Sequence, residues 1–471
     1  MSELVKAGVR ALAILGVALF IPAATPAWSQ TQAQTQRRAS EFSLANGMQV
    51  VVIPDRRAPV ITHVVWYRIG GADNIAGQSG LAHFLEHLMF KSTGRLKTGE
   101  LSNVVARLGG RDNAVTTHDA TYYFQRLPKE HLKTAMTMEA DRMRNLRLVD
   151  QEVATERQVV IQERRSVVDS KSLAILDELI SAALYLNHPY RIPVIGWGPE
   201  IPKLSRELAL EFYNRFYAPN NAILIVAGDV TEAEVRKLAQ DTFGRVRPRA
   251  GLARPPRPAE PPQLAARRIE LRDPRAGSLS MQRFYLAPSY KTAQPGEAEA
   301  LDVLVTILGE GPTSRLYGQL VEDKSLAANA GASYSGVALD SGTINVYAIA
   351  GDGVKQAALE QGIDAVLAQF IKDGPSEEEL EQAKSSLIAS YIYSADNQAS
   401  LAQRYGSNLV IGRTIADVEE WPARLGRVSA ADVKQAAAKY LDLQSSVTGF
   451  LIPQAEASEA AAGEKRGEAR Q

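Results

Sequence analysis

An α+β fold of two homologous halves, each a mostly antiparallel sheet covered by helices, is what the sequence predicts. Three observations carry the expectation. Apolar and polar residues alternate over 48–53, 62–68, 120–125, 280–286 and 343–350, the period of strands with one face covered. A helix–strand unit then recurs. Lys203-Leu204-Ser205 opens a helix running to Phe216-Tyr217 ahead of a strand at 222–226. Arg427-Val428-Ser429 opens another running to Tyr440-Leu441 ahead of a strand at 447–451. The two copies are offset by 224 residues without a gap, and both place a Ser at the N-cap. Finally, six prolines crowd 248–263 among few large apolar residues, which reads as a semi-rigid linker.

Taken in order, the chain divides into a signal peptide (1–29), an N-terminal metal-binding domain (41–247), a Pro-rich linker (248–266), a C-terminal homologous non-metal domain (267–455) and a tail (456–471). Lys6 and Arg10 flank an apolar run over 11–24, and Ala27-Trp28-Ser29 offers small residues where a signal peptidase reads. The expectation is export, to the periplasm if the source is Gram-negative, with an uncleaved anchor as the alternative. The run is short of the ~20 apolar residues of a membrane span, so no stable span is expected after signal removal. The tail is rich in Ala, Glu, Lys and Arg and lacks apolar periodicity.

Composition excludes whole classes. Lys+Arg and Asp+Glu both number 53 in 471 residues, so nothing global points to nucleic acid or an acidic membrane surface. Cysteine is absent, which removes disulfides, iron–sulfur clusters, thiolate zinc sites and a cysteine nucleophile.

The chemistry concentrates in one segment. Residues 80–90 read as an apolar helix with Ser79 available as its cap. His83 and His87 are four apart and share one face. Burying two imidazoles and the Glu86 carboxylate among Leu, Ala, Phe and Met is costly unless something pairs with them. A divalent metal would, and two neutral imidazoles suit zinc, with Glu86 placed as base for a bound water. With six histidines and 53 acids, a His-x-x-acid-His run arises by chance about once in a hundred such chains. A third protein ligand is needed. Glu156 and Glu163, two turns apart on a helix over 152–165, share a face, but by spacing alone a solvated face is the favoured reading. His63, His118, His131 and His188 carry no specific support; His118 is the one that could touch a substrate.

The chain resembles the pitrilysin/insulinase/mitochondrial processing peptidase family of inverzincin zinc peptidases over essentially its whole mature length. The resemblance rests on His83-Phe84-Leu85-Glu86-His87, on Gly109-Gly110-Arg111-Asp112-Asn113-Ala114, on 156–163, on His188-Pro189-Tyr190 and on 217–222. It implies one zinc per chain. In the family a Glu about 76 residues past the second His is the third ligand, which selects Glu163, and Glu156 matches an acidic residue supporting the site. The family also implies two halves closing as a clamshell over a peptide, with Glu86 as general base and Asn113 and Ala114 on an edge strand beside the scissile bond. The expected function is an exported zinc endopeptidase acting on peptides or unfolded segments. The alternative is a noncatalytic peptide-binding or scaffold subunit.

No histidine lies beyond 188, so the second half cannot repeat the motif. It keeps Gly309-Glu310-Gly311-Pro312-Thr313-Ser314-Arg315-Leu316-Tyr317, similar to the family's glycine-rich loop. An Arg and a Tyr that bind substrate backbone in many relatives are replaced here by Val321 and Ala328. Either Arg315, Tyr317 or Tyr334 substitutes, or a partner does: a homodimer, or a heterodimer with a homologous chain supplying the Arg/Tyr pair.

Overall fold

The computed structural model describes residues 39–454. The signal-like segment and the whole tail lie outside them. Eleven strands form two sheets among the described residues. The first sheet contains β1 (Ser40–Ser43), β2 (Gln49–Pro54), β3 (Val60–Tyr67), β4 (Arg111–Thr116), β5 (Thr121–Pro128) and β6 (Ala222–Gly228), in the order β1-β2-β6-β3-β5-β4. The second contains β7 (Arg267–Asp273), β8 (Ser280–Pro288), β9 (Ala327–Ser335), β10 (Ser341–Ala350) and β11 (Ser446–Pro453), in the order β7-β11-β8-β10-β9.

Apart from β1, the two orders are one pattern. β6 pairs parallel with β2 and antiparallel with β3, and β11 pairs parallel with β7 and antiparallel with β8. The helix before each central strand is capped as expected: Ser205 accepts from the Leu208 amide, and Ser429 from that of Asp432. The halves are therefore homologous in topology as well as in sequence offset.

The expectation of one covered face per sheet is not met. Val51, Ile53, Val64 and Trp66 point away from the main core of the first half yet are at most 4% exposed. They are buried by the helix Gln398–Val410, which comes from the second half, through Leu401, Ala402, Tyr405 and Leu409. In return the helix Ser172–Leu184 of the first half covers β11 and β7, packing Leu176, Ile180 and Leu184 against Val447 and Leu451. Each half lends a helix to the other's sheet. The seats are close: a Cβ on Gly406 would lie 2.1 Å from the Trp66 ring, and one on Gly449 would lie 2.4 Å from Ile180. Each large apolar side chain buried there contributes about 1.5–3 kcal/mol, so separating the halves would expose two cores.

Residues 248–266 carry no helix or strand, but they are pinned rather than slack. The Arg257 side chain is 7% exposed and donates to Asp73 (3.0 Å) and Asp119 (2.6 Å) in the first half and to Asp340 (2.8 Å) in the second. Glu260 accepts the amides of Leu186, Asn187 and His188. Among the described residues no helix is long and apolar enough to cross a membrane.

Gly406→Val should destabilise the protein by about 1–3 kcal/mol or more through overpacking at Trp66. Urea unfolding of the full chain should show one transition, with the variant's midpoint lowered. Two transitions, or an unmoved midpoint, would show that the exchanged helices do not couple the halves.

Candidate metal centre and active site

The helix Leu81–Leu88 is buried on nearly every side, with Leu81, Ala82, Phe84, Leu85 and Leu88 at 1% exposure or less. It packs on the helices Asp150–Arg164 and Arg206–Phe216 and on β4. Ser79 does not cap it. Gly80 is the N-cap, in the left-handed region at φ 83°, and Asn74 Oδ1 accepts the Ala82 amide at 3.0 Å. Ser79 instead accepts the Trp197 amide (2.9 Å). A Cβ on Gly80 would lie 2.5 Å from the Ile195 carbonyl oxygen, so both conformation and space require glycine.

His83 and His87 project from this helix toward Glu163 on Asp150–Arg164. Their Nε2 atoms stand 3.7 and 3.2 Å from Glu163 Oε2, and donor atoms of the three residues all lie within 4.8 Å of one another. Ligands held about 2.0–2.1 Å from a tetrahedral zinc stand roughly 3.3 Å apart, so the set fits that ion. His83 Nδ1 is buried without a hydrogen-bond partner. Two imidazoles and a carboxylate crowded in an apolar wall leave a deficit that a cation relieves.

Glu156 supports the set. Its Oε1 is 2.9 Å from His87 Nδ1, which directs the other ring nitrogen toward Glu163, and its Oε2 is 2.5 Å from Lys91 Nζ. Burial opposes ionisation of Glu156, but His87 and Lys91 hold its carboxyl below the usual range. Burial and the neighbouring His87 pull His83 down to about 4. Burial also acts on His87, but Glu156 and Glu163 outweigh it and raise His87 to about 9. The hydrogen bond from His87 keeps Glu163 low.

Glu86 is 8% exposed, and burial raises its pKa. Its Oε2 accepts from Thr116 Oγ1 at 2.5 Å, which fixes the carboxylate beside the histidines. Thr116 ends β4, the outermost strand of the first sheet, whose far edge has no partner strand among the described residues. Gly109, at φ 76°, turns the chain into that strand. Asn113 is exposed on it and Ala114 is buried.

The sequence does not single out Lys91 and Thr116 as partners of the site. Lys91 lies past the end of the helix at Leu88, and its partner Glu156 is 65 residues further along the chain, so no local spacing shows it. Thr116 shares a strand face with Ala114 by the period of two, but that this face meets Glu86 is a tertiary fact.

The second-half candidates fare differently. Arg315, expected to reach substrate, is held in its own half: it donates to Glu379 (2.6 and 2.8 Å) and to the Gly374 carbonyl (2.8 Å), and it stacks on Phe370. Tyr334 donates to the Pro288 carbonyl. Tyr317 is half-exposed, Val321 packs against the second core and Ala328 is exposed. His118 bonds the Ile192 carbonyl, His188 caps a turn and lies 3.1 Å from Asp340, and His63 faces Gln125.

Two family models match the chain: "Insulinase (Peptidase family M16)" over residues 49–197 and "Peptidase M16 inactive domain" over 203–387. A relative named zinc protease PqqE of Helicobacter pylori is 31% identical over 87% of this chain and 92% of its own length. This chain belongs to the pitrilysin/insulinase family of M16 peptidases. An uncharacterized zinc protease of Bacillus subtilis, YmxG, is 26% identical over 71% of this chain and 78% of its own. The crystal structure of a protease from Helicobacter pylori superposes with a TM-score of 0.84 at 30% identity, covering 88% of this chain and all of that one. The periplasmic protease PqqL of Escherichia coli shares the fold at TM-score 0.76 and 19% identity, with 90% of this chain covering 48% of that one.

The two histidine pKa values set the proton count of metal uptake. At pH 7 the metal-free site holds one imidazolium, His87, while His83 is neutral, and zinc must displace the extra proton of His87. Apparent zinc affinity should therefore rise about tenfold per pH unit from about pH 6 to about pH 9, with about one proton released. Conversely, that proton stabilises the metal-free fold fully below about pH 6.5, and the contribution is lost as pH rises through about 9. Calorimetry in two buffers of different ionisation enthalpy counts the proton; a flat profile would contradict the arrangement. Glu156→Gln should weaken zinc about 10–100-fold in chelator competition.

Proposed function

We propose that this protein is a zinc-dependent endopeptidase, exported and cleaving peptides or unfolded segments. The observation that carries the reading is the convergence of His83, His87 and Glu163 beside a buried Glu86. The residues that would hold zinc are those three, one ion per chain. When bound, zinc supplies a Lewis acid that lowers the pKa of water to about 7 and polarises a carbonyl.

The chain's own groups do the remainder. The free edge of β4 accepts an extended peptide by main-chain pairing, with Asn113 and Ala114 flanking the bond to be cut. Thr116 occupies one lone pair of Glu86 Oε2, leaving Oε1 to take the proton of the attacking water and return it to the leaving amine. Burial of Glu86 raises its basicity, which suits both tasks. Glu156 and Lys91 hold His87 in the ring orientation that faces Glu163.

A partner chain belongs to this reading. By the family resemblance, Val321 and Ala328 stand where many active members carry an Arg and a Tyr, and Arg315 is engaged with Glu379. The exchanged helices oppose opening within one chain. A second chain, identical or homologous, then closes over β4 and contributes the missing contacts. Full-rate cleavage by a monomer would remove this part of the proposal.

Wild type and Glu86→Gln should each carry about one zinc per chain, and only wild type should cleave an unfolded peptide, the variant losing ~10²–10⁴-fold in kcat. Zinc-free wild type, or cleavage surviving the substitution, would end the reading. Thr116→Val should lower kcat about tenfold with KM and zinc content unchanged, and Thr116→Ser should restore it. A fall in zinc content instead would give Thr116 a purely structural role.

A further inference from the structure

The chain has no net charge, yet one cavity in its first half is lined by a single sign. The cavity measures about 710 Å³ and lies where the ends of the helices Leu132–Asn145 and Arg206–Phe216 meet the segment 247–256. Arg144, Arg215, Arg247, Arg249 and Arg254 line it, and no Asp or Glu does. Arg144 and Arg215 sit in the last turns of their helices, where a cation offsets the dipole. Arg247, Arg249 and Arg254 lie outside any helix and have no such reason to be there.

Compensation is scarce. Of the five, Arg254 alone has a carboxylate at ion-pair distance among the described residues, Asp73 at 3.0 Å. Arg249 reaches no more than the Asn214 side-chain oxygen, at 3.3 Å. The Nε atoms of Arg249 and Arg254 are buried without an acceptor. Burial and the charge of Arg144 both lower the Arg249 pKa. A second cavity of about 670 Å³ shares Arg144 and Arg247 and extends the basic surface to Arg95, Lys133 and Arg245, with Asp141 and Asp241 beside them. Arg144, Arg215 and Arg247 are exposed and Arg249 and Arg254 are half-buried, and like charges gathered in one concavity favour entry of a counter-charge.

We propose that this cavity binds a small ligand carrying clustered phosphate groups, either a free oligophosphate or the phosphorylated headgroup of a lipid. The guanidinium fork matches phosphate oxygens two at a time. Charge density separates this class from an acidic peptide. An extended peptide offers at most one carboxylate per ~3.4 Å of chain, on alternating sides, whereas a diphosphate delivers its charge within the span of a few bonds. Occupancy bridges the segment 247–256 to two helix ends, so the ligand also stabilises the fold by mass action. The cavity shares no lining residue with the metal centre, and its ligand is independent of the peptidase reading.

The test is binding of pyrophosphate to the full chain by calorimetry and thermal shift, in low and moderate salt. Sedimentation with cardiolipin or phosphatidylcholine vesicles is the parallel arm. Wild type should bind pyrophosphate, with Tm raised and affinity falling as salt rises. Arg144→Ala/Arg247→Ala should bind at least tenfold more weakly, with zinc content and peptide cleavage unchanged. Arg56→Ala, which removes an exposed arginine elsewhere, should match wild type. Pyrophosphate binding without vesicle binding identifies a free phosphate ligand. Retention on cardiolipin vesicles without pyrophosphate binding, lost in the double variant, identifies a lipid headgroup. Absence of both, equal loss in Arg56→Ala, or binding of oligoglutamate in their place would overturn the proposal.

Discussion

Two imidazoles and a carboxylate ride on a helix whose other side chains are almost wholly apolar, and the need to partner them organises the first half. Three neighbouring segments answer that need. The helix Asp150–Arg164 brings Glu163 to both Nε2 atoms and Glu156 to His87 Nδ1. β4 brings Thr116 to Glu86. The chain just past the helix adds Lys91, four residues beyond His87, to hold Glu156. Each contact fixes a direction as well as a charge, which is what a metal ligand set and a general base require. The entry of this helix into the core depends on backbone contact between Gly80 and the 195–196 segment, where a side chain has no room.

The second constraint is the exchange of helices. Gln398–Val410 covers the first sheet and Ser172–Leu184 covers the second, so neither sheet has a complete core of its own. Arg257 adds a polar tie at the linker, joining Asp73 and Asp119 to Asp340. Together they tie the two halves into one compact unit among the described residues, with β4 at one edge of the first sheet. The second half, without histidine, serves the first by completing its sheet.

Much of the site is legible in the sequence. The spacing of His83 and His87 places them on one face, and their apolar neighbours make a bound cation the economical explanation. Glu163 is not legible from spacing, because a helix with Glu at two-turn intervals looks the same whether it faces solvent or metal; the family resemblance selects it. Ser79 reads as a cap because a Ser before an apolar helix fits the rule, while the left-handed Gly80 and the remote Asn74 do that work. The second covered face departs from the alternation rule in a readable way. The alternation expected over 48–53 fails at Val50-Val51-Val52-Ile53, which is continuously apolar like Ala222-Ile223-Leu224-Ile225-Val226-Ala227, and that is how doubly buried strands read.

The sequence by itself determined the repeat, the capped helices, the His-x-x-Glu-His pentapeptide and the confinement of the candidate metal site to the first half. All of these follow from periods of two to four residues or from the presence and absence of residue types. Tertiary structure alone decided which helix buries which sheet, that Arg315 belongs to Glu379, and that Thr116 and Lys91 join the site. Those depend on contacts between segments far apart in the chain, whose free energy is collective and leaves no mark at any single position.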